Sequence, residues 1–229
     1  MAGRLVIEGL AAGRGGRLVV PPLHLALQAG EALLSTGENG AGKSTLLRTL
    51  AGLLPPLAGR TSIEGFRASD GEPARSVCDI AHYIGHRNAL KGARRVGADL
   101  AFWARFLGGA PGLSPEAALA ELGLPEGVAE LRCADLSAGQ ARRAALARLL
   151  VAHRPLWLLD EPTNALDAAT QARFAALCRR HLSNGGMILA ATHQPVDLGP
   201  AARALVLEPQ PAGVAVADSS EDEGWEAIR

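Results

Sequence analysis

Lysine is almost missing from this chain. Only Lys43 and Lys91 occur among its 23 basic residues, the rest being arginine. We take that bias to reflect genome composition and draw no function from it. A surplus of charge is missing as well. The 23 acidic residues offset the 23 basic ones, so nothing argues for global attraction to nucleic acid or to anionic lipid. Cysteine is scarce: Cys78, Cys133 and Cys178 stand apart and form no C-x-x-C. That suits a reducing compartment and argues against a zinc site or a haem-attachment motif. No apolar run reaches the roughly 18 residues that would suggest a membrane helix, and no N-terminal signal peptide is evident. We expect a protein that is soluble by itself, with any membrane role arising through a partner. Internal repeats are absent too. What is present is ample for a core, since 48% of the 229 residues are hydrophobic. One domain, or one domain with an inserted subdomain, fits that length.

One stretch organises the rest. Gly37-Glu38-Asn39-Gly40-Ala41-Gly42-Lys43-Ser44 fits G-x-x-x-x-G-K-[ST], the phosphate-binding P-loop. Ala32 to Ser35 before it reads as a short buried strand. Leu46, Leu47 and Leu50 after it share one helix face. The glycines let the backbone turn with its N–H groups inward, and the helix that starts at Lys43 turns its positive end to the same cavity. Lys43 would reach the β- and γ-phosphates of a nucleotide, with Thr45 beside it, and the Ser44 hydroxyl would hold Mg²⁺. A Gly-rich turn matching by chance is the competing reading, and the strand-then-helix context weighs against it.

Taken in order, the chain opens with strand candidates at 4–10, 18–20 and 23–27, the last two flanking Pro21-Pro22. Further strands are expected at 59–66 and, with mixed signals, at 77–84. From Arg87 to Ala152 the pattern turns helical. It has helices at 96–107, from Ser114-Pro115 through Leu122, and at 138–151. From Pro155 it returns to α/β, with a strand at 156–160, a helix at 168–182 and strands at 187–192 and 204–207. The expected fold is therefore an α/β P-loop NTPase core with a mixed sheet and an inserted helical subdomain. A single domain covers 1–208, with core segments 1–86 and 153–208 around helical residues 87–152. The acidic tail, 209–229, reads as flexible.

Pro155-Leu-Trp-Leu-Leu-Asp160-Glu161-Pro162 describes a buried strand that delivers two carboxylates at its C-terminal end, where ligands sit in open α/β sheets. Asp160 is placed to hold Mg²⁺ through water, and Glu161 to polarise an attacking water. A strand ending in two solvated acids is the alternative. Leu136-Ser137-Ala138-Gly139-Gln140 then runs into a helix. Ser137 and Gln140 form a capping box by spacing, and the helix N-terminus with a free hydroxyl and the Gly139 N–H is also an anion site.

At this point the chain resembles the ATPases of the ABC-transporter family, in which this loop is the signature, usually LSGGQ. The resemblance implies that Ser137, Gly139 and Gln140 contact the γ-phosphate of ATP bound to a second copy, head to tail. It likewise makes Asn164-Ala165-Leu166-Asp167 the family's D-loop, and His193, after the apolar run 188–191, a γ-phosphate contact. His24, His82, His153 and His181 show no partner pattern and read as structural. All five motifs come in the family's order.

A narrower resemblance lies in His82-Tyr-Ile-Gly-His86-Arg-Asn-Ala-Leu-Lys91, in Leu100-Ala-Phe-Trp103, in Thr192-His-Gln-Pro195 and in Ala138 of the signature. These are similar to the ATP-binding subunit of the haem exporter of cytochrome c maturation. That likeness implies a peripheral ATPase on the cytoplasmic face of the bacterial inner membrane. It would work with polytopic membrane subunits and release the haem-loaded chaperone, without binding haem itself. Two departures stand out. His86 occupies the family's usual glutamine position, where a neutral imidazole can replace the amide. The aromatic expected before Leu18 is replaced by Gly13-Arg14-Gly15-Gly16, so Arg14 stacks on the base or the base is held loosely. An ATPase of another small exporter, or a nucleotide-gated structural subunit with little turnover, are the other readings.

Overall fold

The computed structural model describes residues 3–108, 110–194 and 196–210. The acidic stretch of the tail lies outside the described residues; Pro209 and Gln210 carry no regular structure.

Two sheets share the strands. Strands β1 (Arg4–Arg14), β2 (Arg17–Gln28) and β4 (Ala58–Glu64) form an antiparallel sheet in the order β2-β1-β4. A parallel sheet runs β5-β6-β7-β3-β8, with β3 at Ala32–Thr36, β5 at Ala81–Ile84, β6 at Leu156–Asp160, β7 at Met187–Ala191 and β8 at Ala202–Val206. Parallel and antiparallel pairing are thus both present, divided between layers. Every residue of β6 and β7 is buried, which is why these segments read as continuous apolar runs rather than as alternating ones.

Helix α1 (Lys43–Leu50) lies between the sheets. Its Leu46, Leu47 and Leu50 share one buried cluster with Leu5, Ile7 and Leu10 of β1 and with Leu158 and Leu189 of the parallel sheet. The opposite face of the parallel sheet, through Trp157, Leu159 and Ile188, packs on α6 (Ala168–Ser183). The same apolar cluster continues into α3 (Val96–Leu107), α4 (Pro115–Glu121) and α5 (Ala138–Val151). Local signals start these helices where the spacing predicts. Ser114 Oγ accepts the Ala117 N–H ahead of α4, Ser137 and Gln140 close a reciprocal capping box on α5, and Asp167 accepts the Thr170 N–H on α6.

Two element expectations change. The strand expected over 77–84 is a helical turn, α2 (Val77–Ile80), followed by β5. Asp79 explains the difference: its carboxylate accepts the backbone N–H groups of Arg75 and Ser76 in a capping box, so the chain coils once before it extends. The two short strands flanking Pro21-Pro22 are one strand, β2. As a sheet edge it tolerates prolines, and its pairing with β1 shifts register between Leu10 and Ala12, opposite them.

His82 in β5 ties the sheet to the end of α5. Its Nε2–H donates to Ala152 O at 2.9 Å, and the ring is 2% exposed. Burial, opposed by that hydrogen bond, lowers its pKa to about 3. His181, stacked on Trp157 with ring centroids 3.9 Å apart, is lowered to about 4 by the same cause. The unfolded chain therefore takes up protons below about pH 6.5 that the native state refuses until pH 3–4, and stability falls as pH falls across that window. His82→Gln keeps a donor for Ala152 O and removes one of these titrations. Urea unfolding between pH 6 and pH 4.5 is expected to show the acid slope of the variant reduced by about 1.4 kcal/mol per pH unit relative to wild type. An unchanged slope would assign the acid sensitivity to other groups.

Candidate active site

The phosphate loop is wedged between β8 and β2. Gly37 has φ 133°, and a Cβ there would stand 2.1 Å from Leu207 O. Gly42 has φ 96°, and its Cβ would stand 2.6 Å from the Val20 side chain. Both positions need glycine, because the conformation is left-handed and the neighbour is backbone or a core strand. Lys43 follows, 8% exposed, with Nζ donating to Gly37 O at 2.6 Å and Glu38 O at 3.0 Å. The ammonium is thereby held over the loop. Glu38 faces solvent and Ala41 is buried beneath, so the acid in the loop projects away from the core.

A cavity of about 540 Å³ opens above the loop. Its lining includes Asn39, Gly40, Gly42, Lys43, Ser44 and Thr45 of the loop and α1, together with Asp160, Glu161, His193, Arg14 and His86. Residues far apart in the chain meet here because β3, β6 and β7 are parallel neighbours and end at one level. Ser44 Oγ donates to Asp160 Oδ1 at 2.8 Å, whereas the buried Asp160 Oδ2 has no hydrogen-bond partner. A hydroxyl beside an unsatisfied carboxylate oxygen suits a hard, oxygen-preferring divalent cation that takes its other ligands from substrate and water. Among the described residues no group of three His, Cys, Asp or Glu side chains forms a cage of its own.

Glu161 sits at φ 49°, with its N–H donating to Ala191 O at 2.8 Å. Its Oε1 accepts Nδ1–H of His193 at 2.9 Å, and its buried Oε2 is without a partner. A carboxylate with one oxygen held by a histidine and the other free of any hydrogen bond suits activation of a water. Asn164 also lines the cavity, and sequence reasoning had placed it in the loop beyond the acids without a role of its own.

Ser137, Gly139 and Gln140 do not line this cavity. Ser137 is exposed and Gly139 and Gln140 are half-buried at the start of α5, on a separate surface. A Cβ on Gly139 would stand 3.3 Å from Ala165 O, so signature and D-loop lie side by side.

Arg142 carries a role the sequence reading missed. It is 3% exposed within α5. Nε donates to Pro162 O (3.1 Å), Nη2 to Asp160 O (3.1 Å) and Glu161 O (2.6 Å), and Nη1 to Gly85 O (2.9 Å) and Asn88 Oδ1 (3.2 Å). One guanidinium thus fixes the turn that carries both acids and ties it to the loop bearing His86. Burial lowers its pKa, and Asp160 and Glu161 oppose that; the group remains charged. The available signal was an arginine inside an Ala/Leu-rich helix, two residues after the signature.

A parallel sheet ending in a phosphate loop, two acids and a histidine, with a signature loop on a capped helix, defines an ATP-binding cassette. The family model for ABC transporters matches residues 20–164, and the chain belongs to that family. Within it, the chain is similar to the cytochrome c biogenesis ATP-binding export protein CcmA of Nitrobacter winogradskyi, 54% identical over 203 residues, 88% of this chain and 96% of that protein. The protein of the same name from Rhizobium meliloti is 50% identical over 201 residues, 84% and 92% of the two chains. The narrower resemblance seen around His82 to Lys91 is borne out by these relatives. Among solved structures, an ATP-binding subunit of an ABC transporter superposes with TM-score 0.75 at 22% identity, over 90% of this chain and 88% of that one. The dimeric structure of a cassette in a post-hydrolysis state bound to ADP and Pi superposes with TM-score 0.72 at 20% identity, over 90% and 97%. At such identities these structures bear on the fold alone.

Arg142→Ala leaves five acceptors without their donor, two of them in buried and three in part-buried contacts. We expect a loss of about 3–5 kcal/mol in stability, read by chemical denaturation. Arg142→Lys can satisfy at most three of them. It is expected to stay folded with turnover reduced at least about tenfold. Full turnover in the lysine variant would show that the fork does not position the acids.

Proposed function

We propose that this protein is the ATP-hydrolysing subunit of an ABC-type complex for haem export in cytochrome c maturation. In this reading ATP hydrolysis drives release of the haem-loaded chaperone from polytopic membrane subunits. The observation that carries the proposal is the convergence of Lys43, Ser44, Asp160, Glu161 and His193 on one cavity, in a chain half identical to cytochrome c biogenesis export proteins.

Each residue has a part. Lys43 neutralises the β/γ-phosphates and the loop N–H groups cradle them. Ser44 and Asp160 hold Mg²⁺, which when bound supplies positive charge to the phosphates and screens the charge that develops on transfer. Glu161 orients and polarises the attacking water through the carboxylate oxygen that has no partner of its own. His193 fixes that carboxylate through Nδ1–H and turns its other ring edge to the cavity. Ser137, Gly139 and Gln140 complete the site of a second copy in an ATP-sandwich dimer, which accounts for their position outside their own cavity.

Membrane partners are expected at a second, largely apolar groove of about 480 Å³ between α3 and the end of α1, lined by Leu53, Tyr83, Trp103 and Phe106. Leu53 and Phe106 are 59% and 67% exposed there. Arg48 and His86 line both this groove and the nucleotide cavity. Helical residues 87–152 would then act as the subdomain that carries partner contacts to the phosphates. Among the described residues no helix is long and apolar enough to cross a membrane. Attachment to the cytoplasmic face of the inner membrane would therefore run through the partners.

Lys43→Ala is expected to abolish ATP binding measured by calorimetry. Glu161→Gln is expected to bind ATP, fail to turn it over, and elute as a dimer with ATP and Mg²⁺. Wild-type turnover in either variant, or a strictly monomeric Glu161→Gln protein with and without membrane partners, would overturn the assignment.

A further inference from the structure

A tyrosine near the nucleotide end of the parallel sheet has no part in the chemistry so far. Tyr83 in β5 pairs with Leu158 of the neighbouring β6. Side chains alternate between the faces of a strand, so Tyr83, Leu158 and Asp160 share one face, the one covered by α1. Arg48, in the last turn of α1, meets it there: Nε donates to the Tyr83 hydroxyl at 3.4 Å. Gly85 stands beside that hydroxyl, and a Cβ there would come within 3.1 Å of it. A hydroxyl has one proton and two acceptor sites. With Arg48 donating to it, the Tyr83 oxygen keeps its own proton to give. Asp160 has the matching need. Ser44 Oγ holds its Oδ1 at 2.8 Å, while its buried Oδ2 has no hydrogen-bond partner. The two groups also feel each other. Burial raises the Tyr83 phenol first, the Arg48 N–H opposes, and the Asp160 charge and its pull on the hydroxyl proton add to the rise. Arg48 is raised too, by its bond to Tyr83 first, with the Asp160 charge adding.

We propose that Tyr83 is a positioning residue: a donor chain from Arg48 through the Tyr83 hydroxyl to Oδ2 of Asp160 holds that carboxylate in the orientation that receives the cation. The inference rests on the reading of Ser44 and Asp160 as the cation-holding pair. A carboxylate anchored at one oxygen alone swings easily, because its last torsion is broad. A second donor on the other oxygen removes that freedom. Arg48 strengthens the donor, since a hydroxyl that accepts from a cation gives its own proton more readily. The chain does not shut the cation out. Each carboxylate oxygen has two acceptor sites, so Oδ2 can take both the hydroxyl and a cation-bound water. Tyr83 itself touches neither cation nor phosphate and acts through Asp160. A hydroxyl that served only to anchor Arg48 to β5 would affect stability and leave cation dependence untouched.

Tyr83→Phe keeps the ring and removes only the hydroxyl. Turnover followed against free Mg²⁺ is expected to need about tenfold more of it for half-maximal rate in the variant, the worth of one hydrogen bond to a charged group. KM for ATP at saturating Mg²⁺ is expected to stay at the wild-type value. Calorimetry in a Glu161→Gln background gives a second reading, free of turnover. In EDTA, adding Tyr83→Phe is expected to leave ATP affinity unchanged, which also shows that the variant is folded. With Mg²⁺, it is expected to weaken ATP binding by about tenfold. Arg48→Ala is expected to raise the Mg²⁺ requirement less, and to add nothing to it when combined with Tyr83→Phe, because it works through the hydroxyl. An unchanged Mg²⁺ requirement in Tyr83→Phe overturns the proposal, as do additive effects in the double variant. An equal loss of ATP affinity in EDTA makes the hydroxyl merely structural and overturns it too. Wild type whose turnover and ATP affinity are both indifferent to Mg²⁺ overturns the cation-site reading as well. Wild type that needs Mg²⁺ leaves that reading standing, whatever Tyr83→Phe does.

Discussion

The burial of one guanidinium sets the geometry of the site. Arg142 sits in a helix packed against the parallel sheet, and a charge there is tolerable only if its donors are met. The acceptors that meet them are the carbonyls of Asp160, Glu161 and Pro162, the Gly85 carbonyl and the Asn88 side chain. Solvating the arginine and holding the acids are therefore the same event. The turn after β6 cannot relax without stranding a buried charge. The backbone at Glu161 shows what that restraint sustains. A positive φ on a non-glycine residue costs of order 1–3 kcal/mol, and here it aims the carboxylate at His193 rather than along the strand.

That constraint also explains what could be read from the sequence. The phosphate loop is legible because its requirements are local. Gly37 and Gly42 need left-handed backbone, Lys43 and Ser44 follow at fixed spacing, and an apolar strand precedes them. The acids at the end of β6 are legible for the same reason. Arg142 is not, because four of its five partners are main-chain carbonyls 18 to 57 residues away, and any residue type supplies a carbonyl. The turn at 77–80 was misread because Val77, Ile80 and Ala81 suit a strand as well as a helix, and only the Asp79 capping box decides. Pro21-Pro22 was read as a break because edge position is a property of the sheet and not of the segment.

The two halves of the phosphate chemistry are built differently. On the cavity side every group is restrained. Lys43 is held by two loop carbonyls, Ser44 by Asp160 and Glu161 by His193. On the signature side, Ser137 and Gln140 satisfy each other in a capping box, the first exposed and the second half-buried. A cap that is complete by itself is stable without a ligand. The Ser137 hydroxyl accepts from the Gln140 N–H and keeps its own proton to donate. Such a loop is complete at a surface before any anion arrives, whereas Asp160 Oδ2 and Glu161 Oε2 are buried atoms without a hydrogen-bond partner, which under the proposed function a cation and a water would satisfy.

Under the proposed function, that difference would give the cycle its direction. Orphaned carboxylate oxygens in a buried site are unfavourable without a ligand, so the cavity gains most from the cation and phosphates that bind first. The signature loop gains little alone, being already capped, and adds donors only once an anion is displayed opposite it. In that reading filling the cavity would precede closure, and loss of the γ-phosphate would remove the anion that the loop would hold. The wall between nucleotide cavity and apolar groove contains Arg48, whose Nε donates to the Tyr83 hydroxyl at 3.4 Å, together with His86. Phosphate charge on one side of that wall and the proposed apolar partner on the other would act on the same two side chains, so each condition would bias the other by linkage, to the extent that those side chains differ between the open and closed arrangements.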